Sequence, residues 1–375
     1  MSASRSNILI LGGGVIGLTT AYLLARDGVP SIVLDPGELG KEASWAGAGI
    51  LPYSDRATAV TPFDLLRALS VLQFPAFSEE LRQLTGIDNG YRRSGGLEFV
   101  CNDDTSAAAD EWQCPAIAVG VLEAPEVRRL EPALNPRLGA ARHFPEMAQV
   151  RNPRHMQALV AACASCLAPD GWPLVDLRPG VGVTGLLTEG ERVAAVATTH
   201  GVVEGERVLV AAGAWTASLL RPLGWTLPIE PVRGQIVLLN SGPPLVRHIL
   251  LRGSRYLVPR ADGRILVGST EEYAGFAKHS TAAGVQGLLE LAIDLVPDLA
   301  SARVEQTWAG LRPGSRDGLP YLGRIGAYEN LFVAAGHFRS GLQLSIGTGQ
   351  IMANLLQDRS PPIEIAAFAP DRFLP

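Results

Sequence analysis

Four residues near the start of the chain could hold a pyrophosphate and a sugar. Gly12, Gly14 and Gly17 fit G-x-G-x-x-G within Gly12-Gly13-Gly14-Val15-Ile16-Gly17, and Asp35 stands 18 residues beyond Gly17. Gly12 permits a tight turn, Gly14 lets the backbone approach a pyrophosphate, and Gly17 lets a helix pack closely on a strand. The free N–H groups and positive dipole end of that helix face the phosphates. The Asp35 carboxylate can accept from both ribose hydroxyls. The chemistry is dinucleotide binding.

The flanking pattern supplies the elements such a site needs. Ile8 to Leu11 is a short apolar run with β character. Val15, Leu18, Tyr22 and Ala25 then recur at helical spacing. Gly28 is placed to end the helix in a left-handed cap. Ser31 to Leu34 is a second apolar run, ending on Asp35. Because Ile8 to Ala25 is uncharged, it also fits a transmembrane helix or a signal peptide behind Arg5. Four interrupting glycines, and a second strand ending in an acid, favour the nucleotide reading. After the loop from Pro36 to Glu42 come the small residues of Ala43-Ser44-Trp45-Ala46-Gly47-Ala48-Gly49-Ile50-Leu51. They either let backbone approach a flat ligand or start a plain helix; spacing does not separate the two.

A chain of 375 residues is too long for one core and natural for two domains. With 47% hydrophobic and 18% charged residues it reads as a globular enzyme. A formal charge of −5 without long runs of one sign argues against nucleic acid or a polybasic membrane patch. Cys163-Ala-Ser-Cys166 has redox-like spacing, but an alanine-rich helical run from Met156 to Leu167 makes these small core residues on one face. No Cys/His set, Cys101 and Cys114 included, has metal spacing. Reduced thiols fit a cytoplasmic location.

Further along, helices are expected at Thr61–Thr85, Glu123–Leu130, Asn152–Ala168 (Asn cap, Pro in the first turn), Thr281–Leu295 and Gly341–Leu356. Strands are expected at Arg92–Val100 after a turn, Phe144–Val150, Ile229–Leu239, Tyr256–Pro259, Ile265–Gly268, Arg303–Gly310 and Leu331–Ala335. Val181–Leu187, Arg192–Thr199 and Val202–Val210 read as a small meander, and Val208–Ala212 runs into the glycine turn at Gly213. Nucleotide elements return at 150–220 and after 305, so the two domains are interleaved.

Six separate stretches coincide with one family. They are Ala43–Leu51, Val-Ala-Ala-Gly-Ala-Trp (210–215), Pro-Val-Arg-Gly-Gln (231–235), Tyr-Leu-Val-Pro-Arg (256–260), Trp-Ala-Gly-Leu-Arg-Pro-Gly-Ser-Arg-Asp-Gly-Leu-Pro (308–320) and Ala-Ala-Gly-His-Phe-Arg-Ser-Gly (334–341). Together they resemble the FAD-dependent amino-acid oxidases of the D-amino acid oxidase family, most closely the bacterial glycine oxidases of thiamine biosynthesis. The resemblance covers nearly the whole chain, and the last two stretches are its most specific part.

It implies a mixed α/β fold. A Rossmann-like FAD-binding domain (1–75, 148–222 and 306–375) would interleave with an antiparallel-sheet substrate-binding domain (76–147 and 223–305). FAD, held noncovalently, would meet Gly12, Gly14, Val15, Ile16, Gly17 and Asp35 with its ADP half. Ala43, Ser44, Ala48, Gly49 and Ile50 match the pyrophosphate and flavin loop, Val183 the adenine contact, and Gly213 a turn beside the nucleotide. His337, Phe338, Arg339, Ser340, Gly341, Leu342 and Gln343 match the loop holding the flavin's pyrimidine edge. Arg312 matches the arginine that binds the substrate carboxylate, where a guanidinium fork suits two oxygens. Tyr256 matches a tyrosine that orients substrate, and Arg339 a second arginine at the pocket, although each also reads as an ordinary structural residue. Family members often carry a histidine two residues before that tyrosine; here it is Ser254, and that histidine's contacts do not carry over.

The reaction implied is hydride transfer from an amine's Cα to flavin, giving a 2-oxo acid, ammonia and, with oxygen, hydrogen peroxide. The partners implied are a small amino acid and oxygen, with neither nucleic acid nor membrane; homo-oligomer formation is left open. The rivals are a dehydrogenase of the same fold, a secondary-amine oxidase with FAD on cysteine, and a tRNA-modifying flavoprotein. Neither Cys101 nor Cys114 has the attachment context, and a −5 chain lacks the basic surface the last would need.

Overall fold

The computed structural model describes residues 8–99 and 120–373. Arg5, Val100, Cys101 and Cys114 lie outside them. The uncharged stretch near the start is strand β1 (Ile8–Leu11), a turn and the 12-residue helix α1 (Val15–Arg26). β2 (Ser31–Asp35) follows, and Gly28 has the left-handed φ of 76° expected of it. Among the described residues no helix is long and apolar enough to cross a membrane.

β1 and β2 sit inside a six-stranded sheet of order β19-β20-β13-β1-β2-β9. Its other members are β9 (Val175–Pro179), β13 (Arg207–Val210), β19 (Tyr321–Arg324) and β20 (Leu331–Ala335). All neighbours are parallel except β19 and β20. Apolar runs such as ILIL suit strands covered on both faces. Ile8 and Ile10 face a core built with α1, α6 (Asn152–Ser165) and α9 (Ser345–Leu355); Leu9 and Leu11 face the opposite core. Beyond that second core lies the expected meander, β10 (Val183–Glu189), β11 (Arg192–Thr198) and β12 (Gly201–Glu204).

The second large sheet has eight strands, of order β18-β14-β17-β16-β15-β5-β7-β6. These are β5 (Gly96–Glu98), β6 (Gly120–Leu122), β7 (Ala141–Phe144), β14 (Ile229–Asn240), β15 (Ile249–Arg252), β16 (Arg255–Pro259), β17 (Arg264–Gly268) and β18 (Arg303–Ser315). It is antiparallel except where β5 meets β15. Val237, Leu239, Leu257 and Val267 fill its back against α8 (Ala282–Leu295); Ile236, Tyr256, Val258 and Leu266 form its front. A small sheet of β3 (Ile50–Leu51), β8 (Ala148–Gln149) and β4 (Arg92–Arg93) stands beside it.

Several local expectations are corrected. The run Thr61–Thr85 is two helices, α3 (Pro62–Val71) and α4 (Phe74–Thr85), because Pro75 has no N–H for the Val71 carbonyl. Phe144–Val150 is split between β7 and β8 by a turn at Pro145. Val202–Val210 parts after Glu204 into strands of different sheets. The last helix begins at Ser345, and residues 341–344 form turns. Asn152 does not cap α6; that position is Arg151, whose side chain makes no capping bond. Cys163 is buried in the core and its thiol is pushed up by burial, as expected of a packing residue rather than a redox pair.

Candidate active site

The C-terminal ends of β1, β2, β13 and β20 open into one cavity, which the front of the eight-stranded sheet closes from the other side. Ligands of open parallel sheets bind at this end of the strands. Every residue that the sequence assigned to cofactor or substrate lines the cavity except Gly17. Gly17 faces the sheet, and a Cβ there would lie 2.0 Å from the Gly12 carbonyl oxygen. Its part is the close packing of α1 on β1.

The turn before α1 is built for close approach. Gly12 has φ 118°, and a Cβ on it would meet the Ala211 carbonyl oxygen at 2.4 Å. A Cβ on Gly14 would meet only the Ser44 hydroxyl, at 3.3 Å. The Val15 N–H donates to that hydroxyl at 2.9 Å, so Ser44 sits on the N-terminus of α1. The Asp35 carboxylate accepts from the Gly13 N–H at 2.8 Å and the Gly37 N–H at 2.9 Å, one bond to each oxygen. Each oxygen keeps a further lone pair for a sugar hydroxyl. Val183 lines the same end.

The small-residue stretch opens as a helix, and most of its residues line the cavity. Ala43–Ala46 forms one turn of helix, α2, and the chain then runs extended into β3. Three side chains from elsewhere hold it. The Trp308 indole donates to the Ala46 carbonyl at 3.0 Å. The Asn152 amide donates to the Ser44 carbonyl at 2.7 Å. Arg260 donates to the Ala48 carbonyl at 2.8 Å, and also to Gln149 and the Val150 carbonyl. Burial, with Arg151 and Arg92 nearby, lowers the Arg260 pKa to about 9, which leaves it charged at neutral pH.

On the front of the sheet, strand register puts the polar groups on one face. Val232 pairs with Arg312, Ile236 with Gly268, and Gly268 with Tyr256, so these residues project the same way as Gly234. The Tyr256 ring lies against Gly268, where a Cβ would be 2.7 Å from it. Arg312 donates to the Ser269 hydroxyl at 2.5 Å and to the Thr270 carbonyl at 3.2 Å. The next residue, Glu271, faces Arg339 at 3.7 Å, and Glu272 pairs with Arg233 and accepts from Gln235 at 2.6 Å. The run Ser269-Thr270-Glu271-Glu272 therefore positions both pocket arginines. Arg339 also donates to the Ser254 carbonyl at 2.6 Å, a main-chain bond that any residue at 254 could provide.

At the far end Phe338 takes a left-handed φ of 46°, and its N–H donates to the Pro313 carbonyl at 2.9 Å. His337 is fully enclosed and shares a 3.1 Å hydrogen bond with Thr348. Burial pushes its pKa down to about 3, so the ring is neutral. The Gln343 amide nitrogen is buried, lines the cavity, and has no hydrogen-bond partner among the described residues.

The model of the DAO family, described as FAD dependent oxidoreductase, matches residues 7–355. This chain belongs to that family. It is 38% identical to a glycine oxidase of Pseudomonas putida, over 97% of this chain and 98% of the relative. It is 32% identical to the bifunctional protein ThiO/ThiG of Synechocystis, over 99% of this chain and 54% of that longer protein. The crystal structure of glycine oxidase from Geobacillus kaustophilus superimposes with a TM-score of 0.89 at 32% identity, covering 99% and 100% of the two chains. The fold is the mixed α/β fold of this family, and the chain is an FAD-dependent oxidoreductase.

The cavity fits FAD on its own chemistry. A helix N-terminus meets a pyrophosphate, Asp35 offers acceptors to a ribose, and the unpartnered Gln343 donor suits a flavin carbonyl. The sequence suggested no part in the site for Gly234, Arg260 or Ser269–Glu272, and for Asn152 only a helix cap. Gly234 and Arg260 lie inside the stretches that resemble the family, and Ser269–Glu272 carries no local signal.

Proposed function

We propose that this enzyme oxidatively deaminates glycine and other small amines or D-amino acids, such as sarcosine and D-alanine, to a 2-oxo acid, ammonia (methylamine from sarcosine) and hydrogen peroxide. For glycine the balance is glycine, oxygen and water to glyoxylate, ammonia and peroxide. The observation that carries this reading is Arg312, a partly buried guanidinium fixed by Ser269 and Thr270 on the wall of the FAD cavity. Such a fork pairs with a planar carboxylate. FAD, when bound, would supply the redox chemistry, as the acceptor for hydride from the substrate Cα and the source of electrons for oxygen.

The protein's part is binding and orientation. Arg312 holds the carboxylate, Tyr256 orients the substrate, and Arg339, paired with Glu271, forms the second cationic side of the pocket. Ile50 and Ile236 give the same cavity an apolar lining. The amine must be neutral to release hydride, so turnover rises with pH as it deprotonates. The FAD-holding residues are those of the turn at Gly12, Asp35, the loop from Ala43 to Ile50, Val183, Gly213 and His337–Gln343. The division into an FAD domain (1–75, 148–222, 306–375) and a substrate domain (76–147, 223–305) belongs to the same proposal. So do a cytoplasmic location and supply of the thiazole branch of thiamine synthesis, a role that likeness to a ThiO/ThiG protein supports.

The test is an aerobic peroxide assay of the pure protein across glycine, sarcosine and D-alanine. Peroxide from glycine supports the reading. Turnover only with an artificial acceptor would make the enzyme a dehydrogenase, and turnover of none would end the proposal.

A further inference from the structure

Asn152 lies at the first turn of α6, is 2% exposed and lines the FAD cavity. Its amide orientation is fixed, because the Ser44 carbonyl can only accept and so must face Nδ2, at 2.7 Å. Oδ1 then points the other way. It is buried and has no hydrogen-bond partner among the described residues. Two glycines make room for this side chain. A Cβ on Gly49 would come within 2.5 Å of Oδ1, and one on Gly47 within 2.9 Å of Nδ2. A buried amide oxygen left unbonded is costly, so its placement calls for a donor.

The donor's chemistry is constrained. Phosphate oxygens accept only, so Oδ1 does not face the pyrophosphate. The ribose falls to Asp35 at the Val183 end, and the flavin's pyrimidine edge falls to His337–Gln343 at the other. Ser44, which Asn152 braces, sits on the N-terminus of α1 between those ends. From these placements we infer that Asn152 is an FAD-binding residue, with Oδ1 accepting a hydrogen bond from a hydroxyl of the ribityl chain while Nδ2 holds the Ser44 loop. The inference rests on the family's FAD and not on the identity of the substrate.

The experiment strips the full chain of FAD and titrates it, by flavin fluorescence, with FAD and with FAD analogues lacking the 2′-, 3′- or 4′-hydroxyl of the ribityl chain. One analogue should bind the wild-type protein about 3- to 10-fold more weakly than FAD, the size of one hydrogen bond. That penalty should vanish in Asn152→Ala, or in Asn152→Ser where the alanine variant does not fold. Equal binding of all three analogues and FAD by the wild-type protein overturns the inference, as does a penalty that persists in the variant. Inactivity on glycine alongside the expected binding pattern would defeat the proposed substrate and leave this inference standing.

Discussion

A Cβ built on Gly234 would lie 2.3 Å from both terminal nitrogens of Arg312. The guanidinium thus rests flat on bare main chain of the adjoining strand. Gly234→Ala should push it off that surface while leaving the strand, whose backbone is ordinary, in place. We expect kcat/KM to fall by up to about 100-fold, the scale of a misplacement near 1 Å, with flavin content and melting temperature near wild type. Wild-type kinetics would mean that the guanidinium works from another position.

Removing the guanidinium itself should be more severe. Arg312→Ala deletes a charge-assisted fork, which costs about 2–5 kcal/mol of transition-state stabilisation, or roughly 30- to 5,000-fold in kcat/KM. Arg312→Lys should recover little, because a point charge matches two oxygens poorly. Steady-state kinetics on glycine, with bound flavin quantified, make the comparison; an unimpaired alanine variant would shift the carboxylate site to Arg339.

Asp35→Ala removes the acceptor for sugar hydroxyls and also frees the Gly13 and Gly37 N–H groups. FAD affinity should weaken by roughly 1–3 kcal/mol, read by titrating apoprotein. Unchanged affinity would rule out Asp35 as a ribose ligand.

The protein should be yellow, and acid precipitation should send the colour into the supernatant. Within the described residues both cysteines are unsuited to flavin attachment. Cys163 is buried among core residues, and the Cys166 thiol donates back to the Ala162 carbonyl of its own helix. Colour retained in the pellet would demonstrate a covalent link.

His155 provides a pH test away from the active site. It is wholly buried beside Phe74 and Phe77, and burial lowers its pKa from 6.5 to about 4. Between those values the unfolded chain binds a proton that the folded chain refuses, so stability falls as pH drops from 6.5 to 4. The slope from this one group is up to about 1.4 kcal/mol per pH unit. Urea denaturation of wild type and His155→Gln at pH 7 and pH 4.5 should show a smaller acid loss in the variant. Equal losses would show that His155 takes no part.

What was legible in the sequence had local causes. The turn at Gly12, α1 and Asp35 could be read because glycine, helix period and acid all act within thirty residues of one another. Thr281 was placed correctly at the start of α8, where its hydroxyl accepts from the Gly284 N–H. Asn152 was read as a cap because Asn-Pro commonly opens a helix; its amide is instead spent on Ser44, 108 positions away. Ser269–Glu272 was missed for the same reason, since Arg312 and Arg339 reach it only across the sheet. β9 and β19 went unread because short edge strands carry little periodicity. The break before Pro75 was available from stereochemistry alone.

The position of β1 bears on how the protein is made. Its partner on one side is β2, but on the other it is β13, where Ile8 pairs with Arg207, and β13 in turn waits for β20 at Leu331–Ala335. α1 is buried along nearly its whole length, partly under α9 near the chain's end. The glycine turn after β1 is therefore synthesised long before two of the strands that complete its sheet. Until residues 331–355 emerge, the apolar faces of β1 and α1 lack the part of their cover that β20 and α9 supply. That long exposed interval is the hazard that chaperones meet in slow, non-local folds.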